Sequence, residues 1–110
     1  MNLNPDGTLD FLITDSGATD YASRSTSVIG NDTWYHIVGV YNGSRVWIYI
    51  NGVMEDTDAA GTINYGAGGV ALGRDGDASS LYDKGLIDDV RIYNRILSPD
   101  EIKRLYNMGR

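Results

Sequence analysis

Apolar and polar residues alternate along the first half of the chain with the two-residue period of β-strands. Residues 8–13 place three large apolar side chains on one face, and residues 21–29 form a weaker, serine-rich extended run. Residues 34–41 are apolar on both faces, as is typical of a strand that is covered on both sides. These three runs predict three strands.

Two Asn-Gly pairs mark the ends of strands. The pair at 42–43 separates residues 34–41 from the apolar run 45–50, and Asn-Gly tolerates the positive φ angles of a type I′ turn. The sequence therefore predicts a β-hairpin at this point. The pair at 51–52 ends the strand at 45–50. A loop rich in Gly, Asp and Ala is expected to run from there to a small-residue strand at 69–73.

The C-terminal region changes from strand-like to helical periodicity. Residues 86–93 alternate as a final strand would. Ser98 is a suitable helix N-cap, Pro99 suits the first helical position, and Glu101 completes a capping box. We expect one short helix, packed on the strands through an apolar stripe. The stripe consists of Ile102, Leu105 and Tyr106.

Length and charge narrow the class of protein. A chain of 110 residues is long enough to form one domain, 1–110, with a modest core. The chain contains no cysteine, so this core forms without disulfides. The net charge of -6 opposes nucleic acids and anionic lipids. No apolar run approaches the roughly 20 residues of a membrane-spanning helix. Neither nucleic acid nor membrane is therefore predicted as a partner.

An ordered series of motifs resembles a known family. Between residues 32 and 107 the chain carries, in this order, DTWYHIVGVYNG, VWIYINGV, GGVALGRD and GLIDDVRIYNRILSPDEIKRLYN. The series is similar to the later part of a concanavalin A-like jelly-roll module of the laminin G-like type. The resemblance implies an all-β fold, an antiparallel β-sandwich that closes on a strand and a short C-terminal helix. Because such modules carry further strands upstream, we expect an N-terminally truncated portion of a larger extracellular or cell-surface protein.

Acidic residues in the later loops are candidate ligands for a Ca²⁺ ion. Asp75 and Asp77 lie in a Gly-rich loop, and Ca²⁺ takes six to eight oxygen ligands. Aspartate is also common in turns because it forms local hydrogen bonds, and this alternative is favoured. The resemblance adds Asp88, since an acid on this strand recurs in a family in which a rim Ca²⁺ is common. The predicted metal ligands are therefore Asp88, Asp75 and Asp77.

The run 45–50 has an aliphatic face and an aromatic face, and Trp47 and Tyr49 share the aromatic one. If the aliphatic face is core, the aromatic face either stacks on a sugar ring or lines a second buried layer. Packing is the favoured alternative. For a bound glycan, the candidate contacts are Trp47 and Tyr49, together with the loop acids Asp75 and Asp77.

No catalytic constellation is recognisable. Glycosidases hold two carboxylates a few ångströms apart, whereas the acids at 55–58 follow a turn and lack apolar alternation, which predicts a solvated loop. His36 is the single histidine, and we expect it to be a hydrogen-bonded structural residue. The chain is therefore not predicted to be an enzyme.

Two functions of different classes remain. The first, implied by the resemblance, is a non-catalytic carbohydrate-binding or adhesion module that recognises a glycan or a cell-surface polysaccharide. The second is a structural β-sandwich domain that self-associates and has no glycan ligand. Strands that are apolar on both faces, and strand edges without partners, predict a homodimer. The alternative is a compact monomer whose loops cover the exposed face, since the acidic charge resists association.

Overall fold

The computed structural model describes residues 1–63, 72 and 84–109. Within these residues the strands are β1 Asn2–Leu3, β2 Leu9–Thr14, β3 Asp20–Arg24, β4 Ile37–Tyr41, β5 Arg45–Ile50 and β6 Val53–Ala59, and the helix is α1 Pro99–Met108. Two antiparallel sheets have the orders β1-β2-β3 and β4-β5-β6. The strands predicted at 8–13, 21–29, 34–41 and 45–50 are confirmed, the second and third in shorter form.

The two sheets stack face to face around β5. Strands β2 and β3 contact β5, and β3 also contacts β6. Val46 and Ile48 are fully buried and Ile50 is 3% exposed. Ile48 and Ile50 form one cluster with Leu9 of β2, and Phe11 packs against it. The antiparallel β-sandwich expected from the sequence is thus confirmed, and its inner core lies between β2 and β5.

A glycine allows the two sheets to approach closely. A Cβ atom placed on Gly39 of β4 would lie 2.3 Å from Cδ2 and 2.5 Å from Cγ of Phe11. Interiors are close-packed, so the Phe11 ring already fills the space that a side chain at position 39 would need. The contact between this ring and the backbone of β4 therefore depends on Gly39.

The helix covers the opposite face of the second sheet. Val40 of β4 and Tyr49 of β5 form a buried cluster with Leu97 and Ile102, and Trp47 packs against that cluster. Ile102 is the fully buried residue of α1. The second sheet is consequently a middle layer, with the first sheet on one face and α1 on the other.

The start of α1 confirms the predicted capping box. Ser98 has an extended N-cap conformation, and its Oγ accepts a hydrogen bond from the backbone N–H of Glu101 at 3.2 Å. The backbone N–H of Ser98 donates in return to the Glu101 carboxylate at 3.2 Å. Pro99 occupies the first turn, where its missing N–H costs no hydrogen bond.

The hairpin predicted at 42–43 is confirmed, although its turn is not of type I′. Gly43 has a φ of 99°, but Asn42 is not among the residues with positive φ. The Asn42 side chain closes the loop instead, because its Oδ1 accepts hydrogen bonds from the N–H groups of Ser44 at 2.9 Å and Arg45 at 2.8 Å.

The second Asn-Gly pair forms the turn that was expected at the first. Asn51 and Gly52 both have positive φ, at 50° and 79°, as a type I′ turn requires. Ile50 and Val53 pair directly across the turn. The prediction of a solvated loop at 55–58 was therefore wrong, because the chain turns back at 51–52 and continues as strand β6.

The strand predicted at 86–93 does not form. Asp89 has a φ of 54°, in the left-handed region, which interrupts an extended chain. Within the described residues these positions belong to no strand pair. Alternation of apolar and polar residues predicts which side chains would share a face, but a strand also needs a neighbouring backbone to form its hydrogen bonds. The strand predicted at 69–73 lies outside the described residues except for Leu72.

Candidate functional site

An open depression lies between the outer face of the second sheet and the start of α1. Its volume is about 220 Å³. Apolar side chains form both of its walls. They are Val40, Trp47 and Tyr49 on the sheet and Ile96, Leu97 and Pro99 on the segment that leads into the helix.

The two aromatic residues predicted as a sugar platform differ in exposure. Tyr49 is 7% exposed and belongs to the cluster under α1, and burial raises the pKa of its hydroxyl. Trp47 is only half-buried and lines the depression. The aromatic face is thus mainly a second packed layer, and Trp47 is the member that retains access to solvent.

Polar groups lie next to Trp47 on the same face of the sheet. Trp47 pairs directly with Thr57 of β6, and directly opposed residues of an antiparallel pair share a face. Arg45, two positions before Trp47, donates from Nε to Thr57 Oγ1 at 3.3 Å. Trp47 therefore has an apolar depression on one side and an exposed guanidinium with a hydroxyl on the other.

Sequence reasoning missed both polar neighbours. The spacing of Arg45 and Trp47 places them on one face of a strand, so this signal was available. Thr57 gave no comparable signal, because it comes from β6, which was not predicted.

An ion pair joins the segment before α1 to the first turn of the helix. Arg95 donates two hydrogen bonds to the Glu101 carboxylate, with N···O distances of 2.7 and 3.1 Å. The bond from Arg95, reinforced by the backbone N–H of Ser98, lowers the pKa of Glu101 to about 2. Glu101 is therefore ionised at neutral pH, and it holds the capping box in place.

Only one of the three predicted metal ligands is among the described residues. Asp88 is exposed, and its Oδ1 accepts a hydrogen bond from the N–H of Asp89 at 2.8 Å. Asp75 and Asp77 lie outside the described residues. Within the part of the chain that is described, no three potential metal ligands come together. Asp88 and Asp89 alone fall short of the six to eight oxygens that Ca²⁺ prefers.

The acids of β6 bind backbone amides at the end of β3 and in the segment that follows it. Ile48 of β5 pairs with Asp56 and Tyr49 pairs with Met54, so a β-bulge in β6 leaves Glu55 without a partner in β5. Its carboxylate accepts hydrogen bonds from Thr26 N at 2.9 Å and Ser27 N at 2.8 Å, and also from the Ser27 hydroxyl. These carboxylate oxygens therefore hold β6 against the segment that follows β3.

The pKa of Glu55 reflects two opposing effects. Burial acts to raise the pKa of Glu55, but the hydrogen bonds from Ser27 and Thr26 together outweigh it, so the pKa is lowered. The next acid, Asp56, accepts a hydrogen bond from Arg24 N at 2.8 Å. Both carboxylates are thus occupied in structural contacts.

His36 lies at the other end of the outer face. Its ring centroid is 6.0 Å from that of Tyr106, and its buried Nδ1 has no hydrogen-bond partner among the described residues. Burial, with a smaller contribution from the charge of Arg91, lowers the pKa of His36. The imidazole is therefore neutral at pH 7. The hydrogen bond expected of this ring is not found at Nδ1, and the bond that is present runs from the His36 backbone N–H to Asn51 Oδ1 at 2.9 Å.

Trp34 is a further exposed aromatic residue that the sequence reasoning did not single out. It lies before β4 rather than in it, and it is 64% exposed. The predicted strand at 34–41 placed Trp34 in a covered element. It supplies a solvent-facing indole that is separate from the depression.

Comparisons with known proteins agree with this architecture. The chain is 29% identical over 101 residues to the human adhesion G-protein coupled receptor D1, and the match covers 87% of this chain and 11% of the receptor. A solved S-layer domain-containing protein from Clostridium thermocellum ATCC 27405 (residues 221-444) has a similar fold. Its TM-score is 0.58 at 24% identity, and the match covers 96% of this chain and 66% of that one.

The chain thus spans about a tenth of the curated relative and about two thirds of the solved chain. The described helix is too short to cross a membrane. The family model Laminin_G_3, described as the concanavalin A-like lectin/glucanases superfamily, matches residues 1–103. The chain therefore belongs to the concanavalin A-like lectin/glucanase superfamily, in its laminin G-like branch.

Proposed function

We propose that this chain is a non-catalytic glycan-binding or adhesion module of an extracellular or cell-surface protein. The observation that carries the proposal is the surface around Trp47. A half-buried indole borders an apolar depression, and Arg45 and Thr57 stand beside it. The similarity to a human receptor whose name includes adhesion supports the cell-surface location.

The chemistry of the surface suits a sugar ring. A pyranose has an apolar C–H patch that packs on an aromatic face, and hydroxyl groups that need hydrogen-bond partners. Trp47 offers the aromatic face, while Arg45 and Thr57 offer donors and an acceptor. The volume of about 220 Å³ is below the roughly 300–1,000 Å³ of sites that enclose a drug-sized ligand. The site therefore fits one ring of a glycan chain that continues into solvent.

The carboxylates support a non-catalytic role. Retaining glycosidases hold two carboxyl groups about 5 Å apart across the scissile bond. Glu55 and Asp56 instead accept backbone hydrogen bonds, and Asp10 is paired with Arg24 at 2.7 Å. None of these three groups is free to act as a general acid or a nucleophile.

A bound Ca²⁺ ion remains part of the proposal, with Asp88 as the ligand on the described part of the chain. Asp75 and Asp77 would have to supply further oxygens. A Ca²⁺ ion at this rim would offer coordination positions to sugar hydroxyls.

A glycan array followed by titration calorimetry tests the function. We expect binding to a subset of neutral or acidic glycans, and a loss of at least tenfold in affinity in Trp47→Leu and in Arg45→Ala. Trp47→Leu keeps an apolar side chain against the helix cluster, and Arg45 is exposed, so both variants should retain the fold. Trp34→Leu is the matched control, because it removes an indole outside the depression.

The outcomes separate the two classes of function. Equal losses in Trp34→Leu and Trp47→Leu would contradict the assigned site. Silence of the folded protein across a broad panel, with and without Ca²⁺, would contradict glycan binding and favour a structural domain.

A further inference from the structure

The two Asn-Gly pairs of the chain, 42–43 and 51–52, share a dipeptide that is prone to spontaneous deamidation. Asparagine is one of the residues that limit the lifetime of proteins, and glycine makes the reaction easier because it has no side chain to keep its backbone nitrogen away from the asparagine Cγ atom. The surroundings of the two pairs differ. Structure rather than sequence should therefore decide which of them reacts.

Deamidation proceeds through a cyclic intermediate. The glycine backbone nitrogen gives its proton to solvent and forms a bond to the asparagine Cγ, and the bond from Cγ to Nδ2 breaks as Nδ2 takes a proton and leaves as ammonia. Water then opens the resulting succinimide ring at either carbonyl, which gives aspartate or isoaspartate. Negative charge develops on the asparagine Oδ1 while the new bond forms. Hydrogen-bond donors that already point at Oδ1 therefore lower the barrier, as they do in an oxyanion hole.

Three donors surround Oδ1 of Asn42. They are the backbone N–H of Ser44 at 2.9 Å, the hydroxyl of Ser44 at 3.2 Å and the backbone N–H of Arg45 at 2.8 Å. The form of the hairpin explains this set, because the side chain of Asn42 accepts the bonds that close the loop. The position at which charge develops is thus already provided with donors.

The attacking nitrogen of Gly43 is accessible. Asn42 and Gly43 are both exposed, and among the described residues no atom lies within 4 Å of a Cβ placed on Gly43. The backbone N–H of Gly43 has no acceptor in the described part of the chain. Solvent can therefore remove its proton, and little stands in the way of its approach to Cγ.

The pair at 51–52 is more restricted. Oδ1 of Asn51 accepts a single hydrogen bond within the described ranges, from the backbone N–H of His36 at 2.9 Å. A Cβ placed on Gly52 would lie 3.2 Å from Cδ1 and 3.3 Å from Cβ of Tyr106, so α1 packs directly on this turn. The paired strands β5 and β6 also hold the turn at both ends. Movement of the Gly52 nitrogen toward Cγ would have to displace the helix.

We propose that Asn42 is a site of spontaneous covalent modification, which converts to aspartate and isoaspartate in the folded protein, whereas Asn51 is protected. Water is the co-reactant and ammonia the leaving group. Each conversion adds one negative charge to a chain that carries -6. The new charge arises beside Arg45, whose carbonyl accepts a hydrogen bond from Asn42 N–H at 3.2 Å. It would weaken the binding of an acidic ligand to Arg45, a consequence that rests on the proposed function.

Peptide mapping by mass spectrometry tests the site on the full chain, incubated at mildly alkaline pH in water enriched in heavy oxygen. We expect label and isoaspartate at Asn42, formed roughly tenfold or more faster than at Asn51, which corresponds to about 1.4 kcal/mol or more in activation free energy. In urea the two pairs should react at nearly equal rates, because only the sequence then acts.

Variants test the role of the loop. Ser44→Ala removes the hydroxyl donor and should slow the reaction of Asn42 by roughly threefold or more, less than in a water-excluded oxyanion hole because this loop is exposed. Ser16→Ala is the matched control, since Ser16 is exposed in another turn, and it should leave the rate unchanged. Circular dichroism checks that both variants are folded. Asn42→Asp carries the charge of the product and should bind an acidic glycan more weakly than the wild type does.

Three results would overturn the modification site. The first is an equal rate at Asn42 and Asn51 in the folded protein. The second is a preference for Asn42 that persists unchanged in urea, because the sequence would then select it. The third is an unchanged rate in Ser44→Ala, which would remove the role of the donors. Equal binding of an acidic glycan by Asn42→Asp and the wild type would overturn only the consequence at Arg45.

Discussion

Replacing Gly39 by alanine should force the two sheets apart at the point where Phe11 lies on β4. The new Cβ would stand 2.3 Å from Cδ2 of the ring, whereas carbon atoms pack best at about 3.5–4.0 Å. The ring or the strand must therefore move by about 1 Å or more. The added Cβ would also lie 2.5 Å from Cγ and 2.6 Å from Cε2 of Phe11, so a small rotation of the ring cannot relieve the overlap.

Overpacking of this kind costs about 1–3 kcal/mol in the free energy of unfolding. In a domain of this size each kcal/mol lowers the melting temperature by about 4–8 °C. Urea unfolding followed by circular dichroism measures the free energy directly, and thermal melting provides the second reading. The double variant Phe11→Leu/Gly39→Ala should lose less than the sum of its parts, because the smaller side chain at 11 leaves room for the added methyl group.

Gly85→Ala is the matched control. Among the described residues no atom lies within 4 Å of its added Cβ, and its backbone is not in the positive-φ region. Alanine at position 85 should be neutral or stabilise by about 0.4–1 kcal/mol, since it restricts the unfolded chain. If Gly39→Ala unfolds at the same denaturant concentration as Gly85→Ala, the close approach of Phe11 to β4 is refuted.

Three further predictions concern the helix start, the contact of β6 with the segment that follows β3, and the acidic rim. Ser98→Ala removes the N-cap oxygen and should lower the free energy of unfolding by about 1 kcal/mol, with Ser98→Thr nearly unchanged. The pKa of Glu55 is lower in the folded protein than in the unfolded chain. Its contribution to the free energy of unfolding should therefore be complete above the unfolded-state pKa and should disappear as the pH falls through the folded-state pKa. Glu55→Gln should accordingly make the acid denaturation curve flatter and lower the free energy of unfolding by about 1–2 kcal/mol at pH 7. If Asp88 binds Ca²⁺, the ion at a hundredfold excess over its dissociation constant should stabilise the fold by about 2.7 kcal/mol, and identical melting in Ca²⁺ and in chelator would contradict the site.

Features that depend on neighbours along the chain were predictable from sequence. The capping box at Ser98 uses residues within one helical turn, and the hairpin at 42–43 joins two adjacent runs. The two faces of β5 were also predictable from the alternation of aliphatic and aromatic residues, because successive side chains of a strand point to opposite faces of the sheet. The sandwich class follows from these local elements together with the ordered motifs.

Features that depend on distant partners were not predictable. β6 has an acidic sequence without apolar alternation, and its Glu55 is held by residues 26 and 27, which are distant along the chain, although the Asn51-Gly52 turn before it was a local signal. Residues 86–93 have the alternation of a strand and no described neighbour to pair with. The candidate site shows the same limit, since Trp47 was recognised as part of an aromatic face, whereas Thr57 beside it required knowledge of how β6 pairs.

The two faces of β5 give the molecule two clusters that share a strand but no side chain. Ile48 and Ile50 belong to the inner core, while Tyr49 belongs to the cluster under the helix with Ile102. The helix can therefore detach while the contact between the sheets persists, which makes it a separate opening unit in hydrogen–deuterium exchange. Amide protons of α1 should exchange through this smaller opening, and those of β5 only when the whole domain unfolds.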